Sequence, residues 1–579
     1  MNNQVRKWTT GALTAALALS LAACSSNNGG GGNGATSNAK KEDGASNTGN
    51  AVNAAASNTG NGNAEATGLD ENEPGWKKDT SPITFDWYMN FSWAKSDWGD
   101  NFVSKYITKK TGVNVKFVVP AGNENEKLNT MIASGKLPDF ITLDWSNDGV
   151  KQLIDSGLVL PLNELGKQYD PYFFKVADPL KLSWYAQEDG NTYGYPNFSS
   201  SPQDYQKYGD QYTSNQTFLV RKDMYEAIGK PDMRTPEGFL KALEMAKEKF
   251  PKVNGQPLVP IGLTEFGGDG SYSFMGGTKL DSMLQNFLAI PMEKDGKLYD
   301  RTTDPEFIKW LKVFRQANEE GLLPKDVFID KRAQIDEKVA QGRYFSMLYQ
   351  AGDMSGPNGQ LYKDDPNSAY IAIDGPANAN MDAPTLTGPG ISGWTLTLIS
   401  KNVKDKARAI QFLSYMLSEE GQRDLYLGEK GVTYDTIDGK DQFLPKITEL
   451  KQKDPDAYGK EYGLESSYWM LMDFNLTLPW QTPVVEPDLQ TKEWTKGKIS
   501  NFSAFDLINP SGQSEEGVAA GKIALLWGDT LPKLLLAKSE DEFDTVFSEF
   551  LEKRNTYGYE KVMAYREAKY EDNVKKLGQ

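Results

Sequence analysis

The chain has 579 residues, with 63 Lys and Arg against 79 Asp and Glu, which gives a formal net charge of −16, and it contains no histidine and one cysteine. These counts exclude metal sites with histidine ligands, Ser-His-Asp and Cys-His catalytic sites, and disulfides within the chain. The acidic balance also argues against a nucleic-acid partner, because binding to phosphates needs clustered Lys and Arg.

Residues 1–23 predict a signal peptide for export. A positively charged start leads into a short apolar stretch over 11–21, which is too short to span a bilayer as a finished helix. The sequence Leu-Ala-Ala-Cys, which ends at Cys24, resembles a bacterial lipobox. That resemblance implies cleavage before Cys24 and lipidation of its thiol, so that acyl chains anchor the mature protein in the membrane.

Residues 24–81 predict a lipidated cysteine followed by a disordered linker. The part over 25–68 consists mainly of Asn, Gly, Ala, Ser and Thr, and Val52 is its only large aliphatic residue. Such a segment cannot bury enough apolar surface to offset its conformational entropy. We therefore expect a flexible tether with a reach of roughly 40 Å.

From residue 82 onward, strand and helix patterns alternate. Alternating apolar residues predict strands over 83–88, 113–119 and 140–143. Helices are predicted between them, the first with Ser96 as its N-cap and both ending at a glycine. This β-α-β-α-β order predicts a parallel sheet, and a ligand of such a sheet lies beyond the carboxyl ends of its strands.

The pattern continues after a predicted turn over 189–196. Apolar periodicity predicts strands over 217–220, 344–349 and 394–399, and helices over 223–228, 235–250, 304–320, 404–418 and from 540 onward. Thr235 and Pro236 favour a helix start, because proline suits the first helical position.

Two glycine-rich motifs superficially match nucleotide-binding signatures. Residues 388–393 fit G-x-G-x-x-G, but a strand-like run follows where the fingerprint needs a helix, so we interpret this motif as a hinge or turn. Residues 517–523 are one residue too short for a P-loop, and Ile523 replaces the Ser or Thr that would reach magnesium. We therefore expect no cofactor.

Aromatic residues indicate a binding surface. Trp and Tyr combine an apolar face with a polar edge, which suits the apolar C–H faces and the hydroxyl groups of sugars. Several cluster near predicted strand ends, among them Trp93 after the first strand and Trp145 after the third. The carboxylates are too numerous for one pair to stand out, so a glycosidase, which needs two carboxylates about 5–10 Å apart, stays open.

Several segments resemble one protein family when they are taken together and in order. Besides the lipobox, these segments are residues 127–139, 157–162, 191–196, 220–223, 393–401, 409–421 and 428–434. In them the chain is similar to family 1 of the extracellular solute-binding proteins, the lipoprotein components of carbohydrate ABC importers, and in particular to a long Gram-positive subgroup. The resemblance covers about residues 80–570.

The resemblance implies an α/β, two-lobed periplasmic-binding-protein-like fold of type II. Each lobe would hold a mainly parallel sheet flanked by helices, with the ligand cleft between the lobes. Residues 82–197 and 370–395 would form lobe one, and residues 200–365 and 398–579 would form lobe two with the C-terminal helices. The ligand would close the lobes by hinge bending, because only the closed form contacts it from both sides.

Eight residues are candidates for the cleft under this resemblance. They follow predicted strands or lie where the chain crosses between lobes: Asn90, Trp93, Asp144, Trp145, Asn197, Phe198, Gln350 and Trp394. Trp394 fits a core position between the lobes equally well. Some long relatives, such as alginate-oligosaccharide binders, carry a calcium loop after the helix that corresponds to 235–250. Here residues 252–257 contain no carboxylate, so we expect no calcium at this place and name no metal ligand.

The leading hypothesis is an extracellular, lipid-anchored protein that captures an oligosaccharide and delivers it to an ABC importer, without enzymatic activity. Its partners would be the oligosaccharide, the permease subunits of the transporter and, through Cys24, the outer face of the cell membrane. We expect a monomer. Two alternatives stay open, namely a surface glycoside hydrolase or lyase that acts through carboxylates, and a peptide-binding lipoprotein.

Overall fold

The computed structural model describes residues 70–94, 98–266, 279–510, 512 and 514–578. The predicted signal peptide, Cys24, most of the predicted linker and Ser96 lie outside these residues. The disordered linker predicted up to residue 81 extends too far, because Trp76 is 2% exposed and belongs to the buried cluster of the first sheet. In the part of the chain that is described, no helix is long and apolar enough to cross a bilayer.

Two main sheets are built from nine of the described strands. In chain order these strands are β1 (Ile83–Met89), β2 (Val113–Val118), β3 (Phe140–Asp144), β4 (Gly194–Pro196), β5 (Gln216–Arg221), β6 (Val259–Leu263), β7 (Tyr344–Gln350), β8 (Tyr370–Ala372) and β9 (Thr395–Ile399). Shorter strand pairs outside these sheets are Lys252–Val253 with Gln256–Pro257, Glu293–Lys294 with Lys297–Leu298, Leu386–Thr387 with Ile499–Ser500, and Tyr434–Ile437 with Lys440–Phe443.

The first sheet has the strand order β2-β1-β3-β9-β4. β1 pairs in parallel with β2 and with β3, which confirms the parallel unit predicted from the sequence. β9 runs antiparallel to β3 and to β4. Trp87 and Tyr88 point to opposite faces of β1 and both are fully buried, so both faces of this sheet are covered.

The second sheet has the strand order β8-β5-β7-β6. β7 is parallel to β6 and antiparallel to β5, and β8 is antiparallel to β5. Each sheet therefore contains one reversed strand, β9 in the first and β5 in the second. Each reversed strand begins where the chain arrives from the other sheet. The crossing segments therefore leave and enter at the edges where the remaining strands have their carboxyl ends.

Helices surround the sheets and fill the connections between strands. The described α-helices are Phe102–Thr111, Glu124–Ser134, Asp148–Asp155, Leu162–Tyr169, Phe173–Val176, Pro179–Trp184, Pro202–Tyr208, Lys222–Ala227, Pro236–Lys249, Leu280–Phe287, Pro305–Glu319, Arg332–Ala340, Ala351–Asp364, Lys406–Leu417, Glu419–Tyr426, Pro445–Lys453, Pro455–Tyr462, Phe474–Thr477, Asp488–Thr495, Glu515–Leu535, Glu540–Thr556 and Tyr559–Leu577.

Local sequence signals explain where these helices begin. Thr235 caps the helix Pro236–Lys249, as predicted. The helix Phe102–Thr111 begins directly after Asn101, whose side chain accepts a hydrogen bond from the backbone of the first turn. The N-cap predicted at Ser96 is therefore wrong, because a cap must lie next to the first turn to reach its free N–H groups.

The residues that follow β9 pack on the first sheet. Leu413 of the helix Lys406–Leu417 and Trp480 belong to the same buried cluster as Trp87 of β1. The division predicted from the sequence gave residues 398–579 to lobe two as a block, whereas the apolar contacts place the part up to Trp480 in lobe one. A short connection keeps this helix beside β9, so the helix covers the sheet that β9 joins.

The C-terminal helices belong mainly to the second sheet. Trp527 and Phe543 share a buried cluster with Phe218 of β5. The last helix, Tyr559–Leu577, ends against the first lobe, where Leu577 shares a buried cluster with a residue of β9. The end of the chain therefore links the two lobes.

A buried carboxyl group ties the C-terminal helices to lobe two. Asp281, in the first turn of the helix Leu280–Phe287, is 3% exposed. Its Oδ2 accepts a hydrogen bond of 3.0 Å from Nε1 of Trp527. Burial raises the pKa of Asp281 to about 6, although the hydrogen bond from Trp527 opposes this rise.

We expect Asp281→Asn to weaken the pH dependence of the free energy of unfolding. Because the pKa of Asp281 is higher in the folded chain than the unfolded value of about 3.9, the folded protein holds the proton more tightly, and stability falls as pH rises through about 4 to about 6. Asparagine keeps the acceptor and cannot ionise. Between about pH 5 and about pH 7.5, the wild type should therefore lose about 1–2 kcal/mol more than the variant in urea denaturation. Equal losses would contradict a raised pKa at Asp281.

Candidate ligand-binding cleft

Four predicted site residues meet at one edge of the first sheet. Asn90 follows β1, Asp144 ends β3, Asn197 follows β4, and Trp394 precedes β9. These positions are neighbours, because β9 lies between β3 and β4 and its first residue, Thr395, pairs with Asp144. This is also the edge at which the chain crosses to and from the second sheet.

A cluster of aromatic side chains, which we call the aromatic platform, lies at this edge. Its members are Phe91, Trp93, Phe198, Trp394, Tyr468 and Trp469. The ring centroids of Trp93 and Trp394 lie 6.0 Å apart with 19° between the ring planes. The centroid of Tyr468 lies 5.4 Å from those of Trp394 and Phe198. The structure thus brings together Trp93, Phe198 and Trp394 of the predicted site.

The members of the platform differ in exposure. Trp93 is 56% exposed and Tyr468 is 40% exposed, whereas Phe91 is 8% exposed. Rings at the centroid distance of Trp93 and Trp394 are in direct contact, so no ligand ring fits between them. Trp93 and Tyr468 are therefore the platform rings most exposed to a ligand.

The sequence-based site did not include Tyr468 and Trp469, which come from a loop far along the chain from β9. Two residues of this loop, Glu465 and Leu471, have φ values of 63° and 62° although neither is a glycine. Such backbone conformations are costly and tend to cluster at binding sites. Glu465 also secures the loop, since its carboxylate accepts a hydrogen bond of 2.7 Å from the Lys451 ammonium group. In the sequence, the only indication that this loop belongs to the candidate site was its pair of adjacent aromatic residues, Tyr468 and Trp469.

Asn197 holds the platform together. Its side chain is buried, with Oδ1 accepting a hydrogen bond of 2.8 Å from the Thr395 amide and Nδ2 donating one of 3.2 Å to the Tyr468 carbonyl. Its own carbonyl accepts a hydrogen bond of 3.0 Å from the Trp394 amide. Gly393 has a φ of 68°, and a Cβ there would lie 2.0 Å from the Asn197 carbonyl oxygen, so this approach requires glycine. The carboxamide predicted to contact a ligand is therefore engaged within the protein.

Three further predicted residues lie at or beside the edge. Asn90 is buried, and its Oδ1 accepts a hydrogen bond of 2.7 Å from the Tyr88 hydroxyl. Asp144 accepts hydrogen bonds from the amide and hydroxyl of Ser146 at 2.8 and 2.6 Å, and burial raises the pKa of Asp144 while these bonds oppose the rise. Trp145 packs against a separate buried cluster.

Lobe two contributes a group of polar side chains, which we call the polar wall: Asn215, Arg332, Asp336, Gln350 and Asp353. Gln350 ends β7, accepts a hydrogen bond of 2.7 Å from Asn215 and donates one of 3.2 Å to Asp353. Arg332 forms ion pairs with Asp353 at 2.9 Å and with Asp336 at 2.8 Å. Only Gln350 of this group was predicted from the sequence.

The polar wall lies at the edge of the second sheet where the chain crosses between the lobes, because Asn215 precedes β5 and Gln350 ends β7. Burial raises the pKa of Tyr468, and the negative charge of Asp353 raises it further. Burial also raises the pKa of Asp353, while the charge of Arg332 opposes the rise. The crossing edge of lobe one thus carries flat apolar faces, and that of lobe two carries planar polar groups.

The structure also tests the glycine-rich motifs. Residues 388–393 lead directly into β9, and residues 517–523 lie inside the helix Glu515–Leu535. Neither forms the loop between a strand and a helix that a nucleotide motif requires. Residues 252–257 form a short hairpin. Within the described ranges, no group of three or more Cys, Asp or Glu residues is placed to hold a metal ion.

Comparison with known proteins identifies a family and several relatives. A family profile described as bacterial extracellular solute-binding protein matches residues 103–433, which is more than half of the chain. Lipoprotein LipO of Bacillus subtilis (strain 168) is 25% identical over 422 residues, which cover 70% of this chain and 76% of LipO. The fructooligosaccharide ABC transporter substrate-binding protein FusA of Streptococcus pneumoniae serotype 4 is 24% identical over 243 residues, which cover 41% of this chain and 44% of FusA.

The fold is also found in solved structures. The crystal structure of the alginate-binding protein AlgQ2 without calcium ion superposes with a TM-score of 0.61 at 21% identity, covering 85% of this chain and 98% of AlgQ2. This likeness confirms the two-lobed periplasmic-binding-protein-like fold expected from the sequence. The family description is that of a binding protein, in agreement with the expected non-enzymatic role. The chain belongs to the bacterial extracellular solute-binding protein family.

Proposed function

We propose that this protein captures an oligosaccharide in the cleft between its lobes and delivers it to an ABC importer. The observation that carries the proposal is the aromatic platform, where Trp93 and Tyr468 are exposed at the edge of lobe one from which the chain crosses to the polar wall of lobe two. A sugar ring has apolar C–H faces and a rim of hydroxyl groups. The platform suits the faces, and the carboxylate, guanidinium and carboxamide groups of the wall suit the hydroxyl groups.

Lobe closure follows from the way the two surfaces are divided between the lobes. The platform and the wall contact opposite sides of a ligand, so the ligand stabilises only the conformation in which both reach it. The crossing segments over 197–215 and 373–394 meet the first sheet beside the platform. Bending within these segments would therefore bring the wall toward a ligand on the platform. The permease subunits of the transporter would recognise this closed form. The binding protein itself would act as a monomer.

Relatives support an oligosaccharide as the ligand. FusA, which resembles this chain in sequence, is named as a fructooligosaccharide ABC transporter substrate-binding protein. The family as a whole is one of extracellular solute-binding proteins. The sugar-binding role proposed here therefore agrees with both the chemistry of the cleft and the related sequence.

The proposal includes a lipid anchor at Cys24. The lipobox-like sequence ends at this cysteine, and a relative, LipO, is named as a lipoprotein. Acyl chains on Cys24, followed by the low-complexity linker, would hold the body at the outer face of the cell membrane.

We expect Trp93→Ala to weaken oligosaccharide binding by about tenfold or more, because it removes an exposed aromatic face from the platform. A thermal-shift screen of the folded protein against a panel of glycans would first identify a ligand, and isothermal titration calorimetry would then compare the affinities of wild type and variant. The unfolding midpoint should change little, because Trp93 is 56% exposed.

The matched control is Tyr557→Ala, which removes an exposed aromatic ring at the end of a C-terminal helix and should leave the affinity unchanged. A glycan that is cleaved during the titration would contradict a binding role and favour a hydrolase or lyase. Stabilisation by peptides but by no glycan would overturn the proposed ligand.

We expect full-length protein expressed in a Gram-positive host to fractionate with the membrane and to partition into a detergent phase, because the acyl chains on Cys24 carry it there. Cys24→Ser should release the protein into the culture medium while the affinity for the glycan ligand stays the same. Membrane retention of the Cys24→Ser variant would show that the anchor is not this cysteine.

A further inference from the structure

We infer that the cleft is built for uncharged oligosaccharides and discriminates against glycans that carry carboxylates. This inference rests on the proposed function and concerns the chemical class of the sugar. It is carried by the placement of charges around the aromatic platform in the described residues, where carboxylates predominate and the basic side chains are already engaged within the protein.

The carboxylates stand on both sides of the platform. On lobe one, Glu124 lies beside Trp93, because its Oε1 accepts a hydrogen bond of 2.5 Å from the amide of Ser92. Asp144 ends β3 at the same edge. On lobe two, Asp353 accepts a hydrogen bond of 3.2 Å from Gln350, which ends β7 at the edge where the chain crosses between the lobes. An acidic glycan held between the platform and the wall would therefore meet negative charge from both lobes.

Arg332 is the basic group of the polar wall, and two carboxylates hold it. Its Nη1 lies 2.9 Å from Asp353 and its Nε lies 2.8 Å from Asp336. A guanidinium between two carboxylates carries a local charge sum of about −1, so it offers little attraction to a third carboxylate. Arg332 remains able to interact with hydroxyl groups, which bring no charge.

The other basic groups near the cleft are also engaged. Lys331 pairs with Glu265 at 3.0 Å, and the amide of Arg332 donates to the same carboxylate at 3.2 Å. On lobe one, Lys127 donates to the Val119 carbonyl at 3.4 Å and lies on the same helix as Glu124. Among these described groups, Arg332 and Lys331 are thus paired with carboxylates, and the Lys127 ammonium is engaged by a backbone carbonyl.

Because of these carboxylates, the charge of an acidic ligand is what would weaken its binding. A carboxylate that leaves water for a closing cleft needs a compensating positive charge, and like charges brought together oppose binding strongly. A hydroxyl group can instead donate to Asp353 or Glu124 and replace the water that these carboxylates lose. The same acidic side chains therefore favour a neutral sugar and disfavour a uronate.

The test compares one sugar with and without charge. A calorimetric screen of neutral oligosaccharides and of uronate oligosaccharides, including oligogalacturonate, identifies the tightest neutral ligand. That ligand is then compared with the same oligosaccharide after oxidation of its primary hydroxyls to carboxylates, and with the methyl ester of the oxidised form. We expect the oxidised form to bind at least about a hundredfold more weakly than the neutral ligand, and the ester to recover most of that loss, because the ester keeps the size without the charge.

A charge variant sharpens the comparison. Asp353→Asn should narrow the gap between the neutral and oxidised ligands by about tenfold, because it removes a facing negative charge. Asp541→Asn removes the same charge from an exposed position of the helix Glu540–Thr556, outside the polar wall, and should leave the gap unchanged. Melting curves of both variants would show that each is folded.

The outcomes separate the two proposals. An oxidised ligand that binds as tightly as its neutral parent, or a uronate that binds more tightly than every neutral sugar, would overturn this inference and leave sugar capture standing. Binding that is weakened strongly by raising the salt concentration from about 0.05 M to about 0.5 M would also overturn it, because that dependence marks an ionic ligand contact. If no glycan binds, the proposed function fails, and this inference fails with it.

Discussion

Asn197 joins three stretches that lie far apart in the chain, and the site depends on these hydrogen bonds. Its carboxamide binds the backbone of Thr395 at the start of β9 and the carbonyl of Tyr468 in the aromatic loop, while its own carbonyl binds Trp394. Two of the segments that connect the lobes leave from Asn197 and arrive at Trp394. The bonds that shape the platform are therefore also the bonds at which the connection between the lobes begins.

The reversed strand in each sheet explains why the hinge and the site coincide. If β9 ran parallel to β3, the chain returning from lobe two would have to enter at the opposite edge of the sheet. Because β9 is antiparallel, the crossing segment delivers Trp394 directly to the edge where β1, β3 and β4 end. The approach is close enough to require a glycine at Gly393. The antiparallel direction of β9 and the backbone conformation at Gly393 thus together fix the position of the Trp394 ring.

Much of the architecture could be predicted from the sequence, because it follows from local patterns. Alternating apolar residues located the parallel strands, the position after the first strand indicated Trp93, and the end of the return crossing indicated Trp394. The rest of the candidate site, Tyr468 and the polar wall apart from Gln350, depends on packing between distant segments that no local period encodes. For the same reason the stretch after β9 was given to lobe two. A polar residue at a strand end, such as Asn197, can bind a ligand or hydrogen-bond to the protein's own backbone, and the sequence does not distinguish the two roles. Only the hydrogen-bond partners in the folded structure show which role it has.

The division of chemistry between the lobes has an energetic consequence. The platform gains from contact with apolar faces, which do not depend on charge, whereas the ion pairs around Arg332 gain strength as water leaves the closing cleft. A ligand that brings hydroxyl groups can take over the hydrogen bonds of the departing water at Asp353 without disturbing the pair. Closure then strengthens the existing pair and the new contacts together. Under the proposed function, apolar contact would hold the sugar to lobe one, and the charge balance of lobe two would decide which sugars allow the lobes to close.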